Sequence, residues 1–561
     1  MAVQISKLRF FISLMVDQKV NDKKRNRNIL SLPNLETKFV AANTLIPIEK
    51  PQQLLLKDPE VEKFEKTLQE IHHKIFYTRG YGEKKKLKKE ELDTRKHLRK
   101  LYVERAGYQK EAAEAITKWN PFDPLKAAPF FDPEVMYAID NKGEESCFDI
   151  LIGNPPYGLL NKKQNKAESI NVSESDHSFY LNSHYYSHAV GGMVNIFRLF
   201  ILRSFYLLNE KGIFSEIFPL SFIGDISIKN LRKFILNRKR IIFIEAFPER
   251  DDPRKRVFEA AKMSVCIMHA QNIQNQKDFF IRIHQDRFIN LNAEKNIVGY
   301  NEIYLLDNQH FTFPLCSKKE KELLIKVYSK SFRVCEIGHC NTGEVDMTFA
   351  KKFFTSNPND STLLKGAIID RYKLRNKMSQ GLIEYIDEEK FIKTKQNLDS
   401  NFRKKRRIVL QGITGVNERI RLKMMIIENA YCANSLNYLA FRIQVDLNYF
   451  LGILNSKLLN FVFKVFSTNS NVNGYEVDNL PLPQNTSITY EKLISDKAGK
   501  ILTKETSIRV YDIQIDLMLF KIFSLCYDEC KIIDPEIEKL ISKEDYERMS
   551  IEELAEYEIK E

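Results

Sequence analysis

Cys147-Phe-Asp-Ile-Leu-Ile-Gly-Asn154-Pro-Pro-Tyr157-Gly158 is the stretch on which the reading of this chain turns. Phe148 to Ile152 is a mostly apolar run of strand length, which predicts a buried β-strand. The run stops at Gly153, and two prolines follow at once. Neither proline can donate to a ladder, so the chain must leave the sheet there. Asn154 is therefore expected in a rigid turn at the carboxyl end of a strand, where open α/β sheets place their ligand crevices.

The residue types at this turn suit one chemical task. An exocyclic amine on a nucleobase has its lone pair conjugated with the ring and is a poor nucleophile. The Asn154 side-chain oxygen and the Pro155 carbonyl can each accept one of its N–H groups. That favours a tetrahedral nitrogen and frees the lone pair for attack. Tyr157 can stack on the base and hold it outside a duplex. The alternative is a strand-ending turn with a structural Asn. The tetrapeptide is rare by chance and the preceding strand makes it rarer, which favours the functional reading.

This stretch resembles the catalytic motif of adenine-N6 DNA methyltransferases, and the chain as a whole is most similar to the type IIG restriction–modification group with its C-terminal target-recognition domain. The resemblance implies a partial Rossmann-like class I methyltransferase core of α/β type, followed by an α+β recognition domain. It implies transfer of a methyl group from S-adenosylmethionine to adenine N6 of flipped-out double-stranded DNA. Asn154, Pro155, Pro156 and Tyr157 would be the catalytic residues. By the same resemblance Asn43, after an expected strand at 38–42, would bond the cofactor adenine. Phe200 would pack on that adenine, and Phe258 would stack on the face of the target base opposite Tyr157. A capping role for Asn43 and core packing for Phe200 remain equally open on the residues alone.

The 561 residues suffice for two or three domains. No run of about 18 apolar residues occurs, so no membrane span is expected. The eight cysteines form no Cys-x-x-Cys pair and read as reduced core thiols of a cytoplasmic, nucleoid-associated protein. His177, His184 and His188 lack carboxylates at ligand spacing, so no metal is expected. Net charge is +13; the tail from Lys531 contributes −6, which leaves +19 on residues 1–530. Such an excess suits a phosphate backbone more than a neutral metabolite.

In chain order, residues 2–17 predict a helix that packs on a sheet. Residues 52–118 predict a charged helical insertion, with Lys85, Lys86, Lys88 and Lys89 either solvated or facing DNA. Residues 158–188 are polar and predict a mobile loop. An apolar helix over 195–208 would end at Gly212, before a strand at 213–218. Further strands are expected at 240–247 and 263–270. The core is expected to span 1–271 and the recognition domain 272–484. A helical segment with an exposed acidic tail is expected at 485–561. Within the recognition domain Arg403, Lys404, Lys405, Arg406 and Arg407 precede a strand. They suit phosphate contact or a charged strand edge.

One part of the resemblance fails. A cofactor loop of the Asp-Pro-x-x-Gly-x-Gly type and a following strand that ends in a ribose-binding acid are found nowhere in the sequence. The helix at 2–17 resembles the one directly after that acid. The expectation is a core without its first strands, with an incomplete cofactor pocket, completed by an upstream fragment and inactive alone. Two other readings compete: a non-catalytic DNA-binding specificity subunit or remnant, and a protein-glutamine methyltransferase, against which the basic C-terminal region argues.

Overall fold

The computed structural model describes all residues except 1, 31, 51–57, 124–125, 138, 140–145, 162–168, 376–383, 395–404, 416–417, 468–469, 504–507 and 560–561. The protein opens with helix α1 (Ala2–Val16). Three more helices follow, α2 (Pro59–Tyr77), α3 (Tyr81–Glu104) and α4 (Lys110–Lys118). Asp58 caps α2 by accepting from the amides of Glu60 and Val61, and a proline at the first helical position fixes the start. In α3 the basic run is divided. Arg95 is buried against Glu91, and Lys84 and Lys88 pair with Glu36, while Lys85, Lys86 and Lys89 are exposed.

A six-stranded sheet follows. Its strands are β1 (Phe148–Gly153), β2 (Leu208–Pro219), β3 (Arg240–Phe247), β4 (Val265–Gln271), β5 (Phe279–Ile283) and β6 (Asn296–Val298). Their order is β1-β2-β4-β3-β5-β6. β1 runs parallel to β2, with Gly153 beside Glu216, and β3 runs parallel to β5. The strands expected at 148–153, 213–218, 240–247 and 263–270 thus all form.

Four expectations need correction. Residues 38–42 form no sheet strand: Lys38 and Phe39 lie in a turn closed on the Leu35 carbonyl, and Ala42 makes only an isolated bridge to Ala128. α1 forms, but its apolar positions are open, with Leu8 59% and Ile12 54% exposed. The helix between 195 and 208 is α5 (Phe197–Leu207), and it ends without a glycine cap. The chain turns straight into β2 at Leu208 and bulges through Lys211 at φ 66°, whose amide is held by the Asn272 carbonyl. Finally, the described part of 158–188 is not all loop. It holds a short parallel ladder, Leu159–Asn161 with Ser169–Asn171, and a helix, Glu174–Asn182, with Tyr180 and Tyr186 buried.

By packing, the chain divides into two compact units: 1–218 with 234–242 and 267–276, and 219–233 with 243–266 and 277–561. In the first, Val61, Leu68, Leu98, Ile116 and Trp119 form a core with Phe130, Met136 and Leu207. In the second, a four-stranded sheet runs β7-β10-β8-β9 through β7 (Gly338–Thr342), β8 (Arg407–Gln411), β9 (Met424–Ile427) and β10 (Leu436–Phe441). Its core continues through helices α6 (Leu447–Leu454), α7 (Lys457–Phe466) and α8 (Ile508–Ile522). The acidic tail is not a bare surface segment, because Ile537, Tyr546 and Leu554 are buried in that core. Among the described residues no single helix is long and apolar enough to cross a membrane. No metal-binding cluster occurs among them, and Cys526 is exposed rather than a core thiol.

Candidate active site

Gly153 ends β1 where a side chain would collide. A Cβ there would lie 3.1 Å from Glu216 Oε1 on β2. The two prolines then carry the chain out of the sheet, with Pro155 buried and Asn154 and Pro156 exposed. The turn is fixed from both sides. The Tyr157 hydroxyl lies 2.8 Å from Asn154 Oδ1 and 2.8 Å from the Ile217 carbonyl at the end of β2. One hydroxyl proton serves these two acceptors, and it aligns the Asn154 carboxamide with the strand end. Behind the motif, the Gly158 amide donates to Asn195 Oδ1 at 3.1 Å and its carbonyl accepts from the Ile196 amide at 2.9 Å. Asn195 was not singled out from the sequence; an Asn one residue from a helix start is the only signal it offers.

Glu216 was also missed. It is fully buried on β2, accepts from Ser204 Oγ at 2.7 Å, and leaves Oε2 without a partner. Burial pushes its carboxyl up to about 7, against the opposing effect of the Ser204 bond. Within a run of strand residues, a single Glu gives no hint that it points inward.

The structure brings Asn154 together with Tyr157 and engages Asn43 with other partners. The Asn43 carboxamide donates to the Tyr180 hydroxyl at 3.2 Å and to Asp176 at 3.5 Å, and its Oδ1 accepts from the Leu45 amide at 3.3 Å. This segment is tied to α5 by the buried Arg203, which donates to the carbonyls of Thr44 at 2.9 Å and Phe131 at 3.1 Å. Phe200 lies half-buried on α5. Phe258 is half-buried in the loop after β3, in a different compact unit from Tyr157.

The basic run divides sharply. Arg403 and Lys404 lie outside the described residues, and Lys405 and Arg406 are exposed. Arg406 donates to Asn448 Oδ1 at 3.3 Å. Arg407 departs from the expectation of phosphate contact. It is buried, paired with Glu344 at 2.8 Å, and stacked over Tyr438 with its guanidinium 4.9 Å from the ring centre. As the first residue of a strand buried on both faces, it points into the sheet core and presents nothing outward.

Residues 1–253 match the Eco57I restriction-modification methylase family, and residues 361–482 match the TaqI-like C-terminal specificity domain. A protein of Methanocaldococcus jannaschii named as a type II restriction enzyme and methyltransferase is 23% identical over 531 residues, covering 82% of this chain and 41% of that protein. The type II restriction enzyme and methyltransferase RM.Eco57I of Escherichia coli is 27% identical over 214 residues, 37% of this chain and 19% of its own length. The chain thus spans less than half the length of these curated relatives. Among solved structures, the type IIL restriction-modification enzyme MmeI in complex with DNA is 10% identical, with 75% of this chain and 59% of that one covered and a TM-score of 0.41. The type IIG restriction endonuclease BpuSI gives 12% identity, 76% and 55% coverage and a TM-score of 0.29. The chain thus carries an Eco57I-type restriction-modification methylase domain over 1–253, followed by a TaqI-like C-terminal specificity domain over 361–482.

Proposed function

We propose that the assembled protein is a site-specific DNA methyltransferase that moves a methyl group from S-adenosylmethionine to adenine N6. The observation that carries this reading is the locked turn at the end of β1, where the Tyr157 hydroxyl holds Asn154 Oδ1 at 2.8 Å. Asn154 Oδ1 and the Pro155 carbonyl each accept one N–H of the flipped adenine's amine. Pro156 keeps the turn rigid, and Tyr157 and Phe258 hold the two faces of the base. Lys405 and Arg406, with Arg403 and Lys404, meet the phosphate backbone. The division of labour is a catalytic core over 1–271 with its helical insertion at 52–118, a recognition domain over 272–484, and a helical C-terminal segment over 485–561. A cytoplasmic, nucleoid-associated location follows from the substrate.

The residues present do not by themselves fit S-adenosylmethionine. The Asn43 carboxamide is engaged by Tyr180, Asp176 and the Leu45 amide, and the sequence holds no glycine-rich loop for the cofactor. We infer that an upstream polypeptide completes the pocket. In support, β1 lies at the edge of its sheet among the described residues, with Ile150 63% and Ile152 79% exposed, and α1 leaves its apolar face open. Apolar faces and an unpaired strand edge are what an added strand would cover.

The test is the Asn154→Ala variant of the complete protein, with N6-methyladenine in duplex DNA measured by mass spectrometry. Methylation is expected to fall about a hundredfold or more while DNA affinity stays within about twofold. Full methylation by the variant would defeat the assignment. The chain alone is expected to bind duplex DNA and little S-adenosylmethionine by calorimetry. DNA binding with no methylation even in the presence of the upstream polypeptide would favour a non-catalytic specificity subunit.

A further inference from the structure

The loop between β5 and β6 carries Gln285-Asp-Arg-Phe288-Ile-Asn-Leu291-Asn. Its three apolar side chains face outward, with Phe288 69%, Ile289 50% and Leu291 73% exposed. The backbone beneath them is firmly held. The Phe288 amide donates to Asp286 Oδ1 at 2.9 Å and the Asn290 amide to His284 Nδ1 at 3.2 Å. Arg282 Nη1 donates to the Leu291 carbonyl at 3.2 Å. Arg282 and His284 are both buried on Glu245, at 3.0 Å and 2.8 Å from its Oε2. A buried charged group therefore anchors a loop whose apolar tip is displayed rather than folded back. A contiguous apolar patch held outward on a fixed backbone marks a contact surface.

Arg287 says what kind of contact. It pairs with Glu259, the residue after Phe258, and its guanidinium lies 5.6 Å from the centre of the Phe288 ring. The tip is thus tied to the loop that carries Phe258. The two loops leave the carboxyl ends of the parallel neighbours β3 and β5, the end at which α/β sheets bind ligands. One aromatic flanked by two aliphatic side chains is the composition of a wedge that parts a base step. The chain's net charge of +13 suits the same polyanion.

We propose that Phe288, Ile289 and Leu291 form a wedge that enters an opened base step of duplex DNA beside the nucleotide taken by the Phe258 loop. This rests on the DNA reading above and adds how the duplex is kept open. A wedge of this kind prefers a duplex in which stacking is already interrupted, because the unstacking cost has been removed.

The experiment measures binding of the full chain to two fluorescein-labelled 30-base-pair duplexes of mixed sequence, one intact and one with a central abasic site opposite adenine. The parent chain is expected to bind the abasic duplex about tenfold more tightly. The Phe288→Ala/Leu291→Ala double variant is expected to lose that preference, to within about twofold, while its affinity for the intact duplex and its salt slope stay unchanged. Retention of the preference by the double variant overturns the wedge and leaves the DNA reading standing. Absence of DNA binding by the parent overturns both. A concentration-dependent dimer of the parent, seen by ultracentrifugation and abolished by the double variant with no change in DNA preference, assigns the patch to self-contact and overturns the wedge.

Discussion

β1 and β8 look alike as sequence and differ in the fold. Each is a short apolar run, Phe148–Gly153 and Arg407–Gln411. In the structure β8 is paired on both sides, by β9 and β10, and all five of its residues are buried. Among the described residues β1 pairs only with β2 in its sheet, and Ile150 and Ile152 are largely exposed. The difference teaches that an apolar run reports a demand for burial, and that neighbouring strands decide whether the demand is met. In the specificity region it is met inside the chain. At the Asn-Pro-Pro-Tyr turn it is met, among the described residues, on one side only, which is the observation behind the proposed complement.

The largest effect that would break this comparison is expected at β8. Arg407→Ala should cost on the order of 3–5 kcal/mol in urea unfolding, because it takes the guanidinium away from the buried Glu344 carboxylate, which keeps the Cys432 amide. It should leave the salt slope of DNA binding unchanged; a slope reduced by about one would return Arg407 to phosphate contact. Leu454→Ala on α6, in the core beneath the same sheet, should cost about 2–5 kcal/mol by cavity formation. A cost under 1 kcal/mol would mean that this region is not the close-packed half.

Next in size is a pH effect beside β1. Burial raises the Glu216 carboxyl from 4.5 to about 7, so the folded protein holds its proton more tightly than the unfolded chain. Its contribution is complete below pH 4.5 and is lost as pH rises through about 7, on the order of 3 kcal/mol in all. Glu216→Gln should remove that share of the slope from unfolding midpoints measured between pH 4.5 and 8. It should leave the share of the same sign from Glu476 and Asp516, also raised to about 7. An unaltered slope would mean that Glu216 is not held neutral.

The smallest effect is the most telling. Ile152→Ser in the chain alone should change stability by no more than about 0.5 kcal/mol, since the side chain is 79% exposed. With the upstream polypeptide added, hydrogen exchange at the β1 amides should slow in the parent and less so in the Ile152→Ser variant. Equal exchange with and without that polypeptide would remove the proposed strand addition.

The legible features were those whose physics is local. Two prolines after an apolar run must end a strand wherever the run lies, and Asn154 at that exit followed directly. The short, largely apolar runs of β2, β3 and β4 announced strands for the same reason. The stretch at 38–42 misled because its apolar residues, Val40 and Ala42, serve the helical core of the insertion instead of a sheet. Arg407 misled because a run of five cations reads as one surface, whereas its last member opens a strand that is paired on both sides and buried throughout, and it pairs there with Glu344.

The sequence by itself determined the strand–turn motif and the basic excess of the first 530 residues, because each depends on neighbours in the chain or on composition alone, while the methylase and specificity halves came from a family resemblance. Only the tertiary structure decided that Tyr157 holds Asn154, that Glu216 is buried beside Gly153 with its carboxyl raised, and that Asn43 is engaged by Tyr180. Those pairs are separated by 3, 63 and 137 positions. The separation of three in the first case still left the hydroxyl's second anchor, the Ile217 carbonyl, 60 positions away. Contacts at such distances are set by which strands become neighbours, and a chain's local propensities carry no record of that choice.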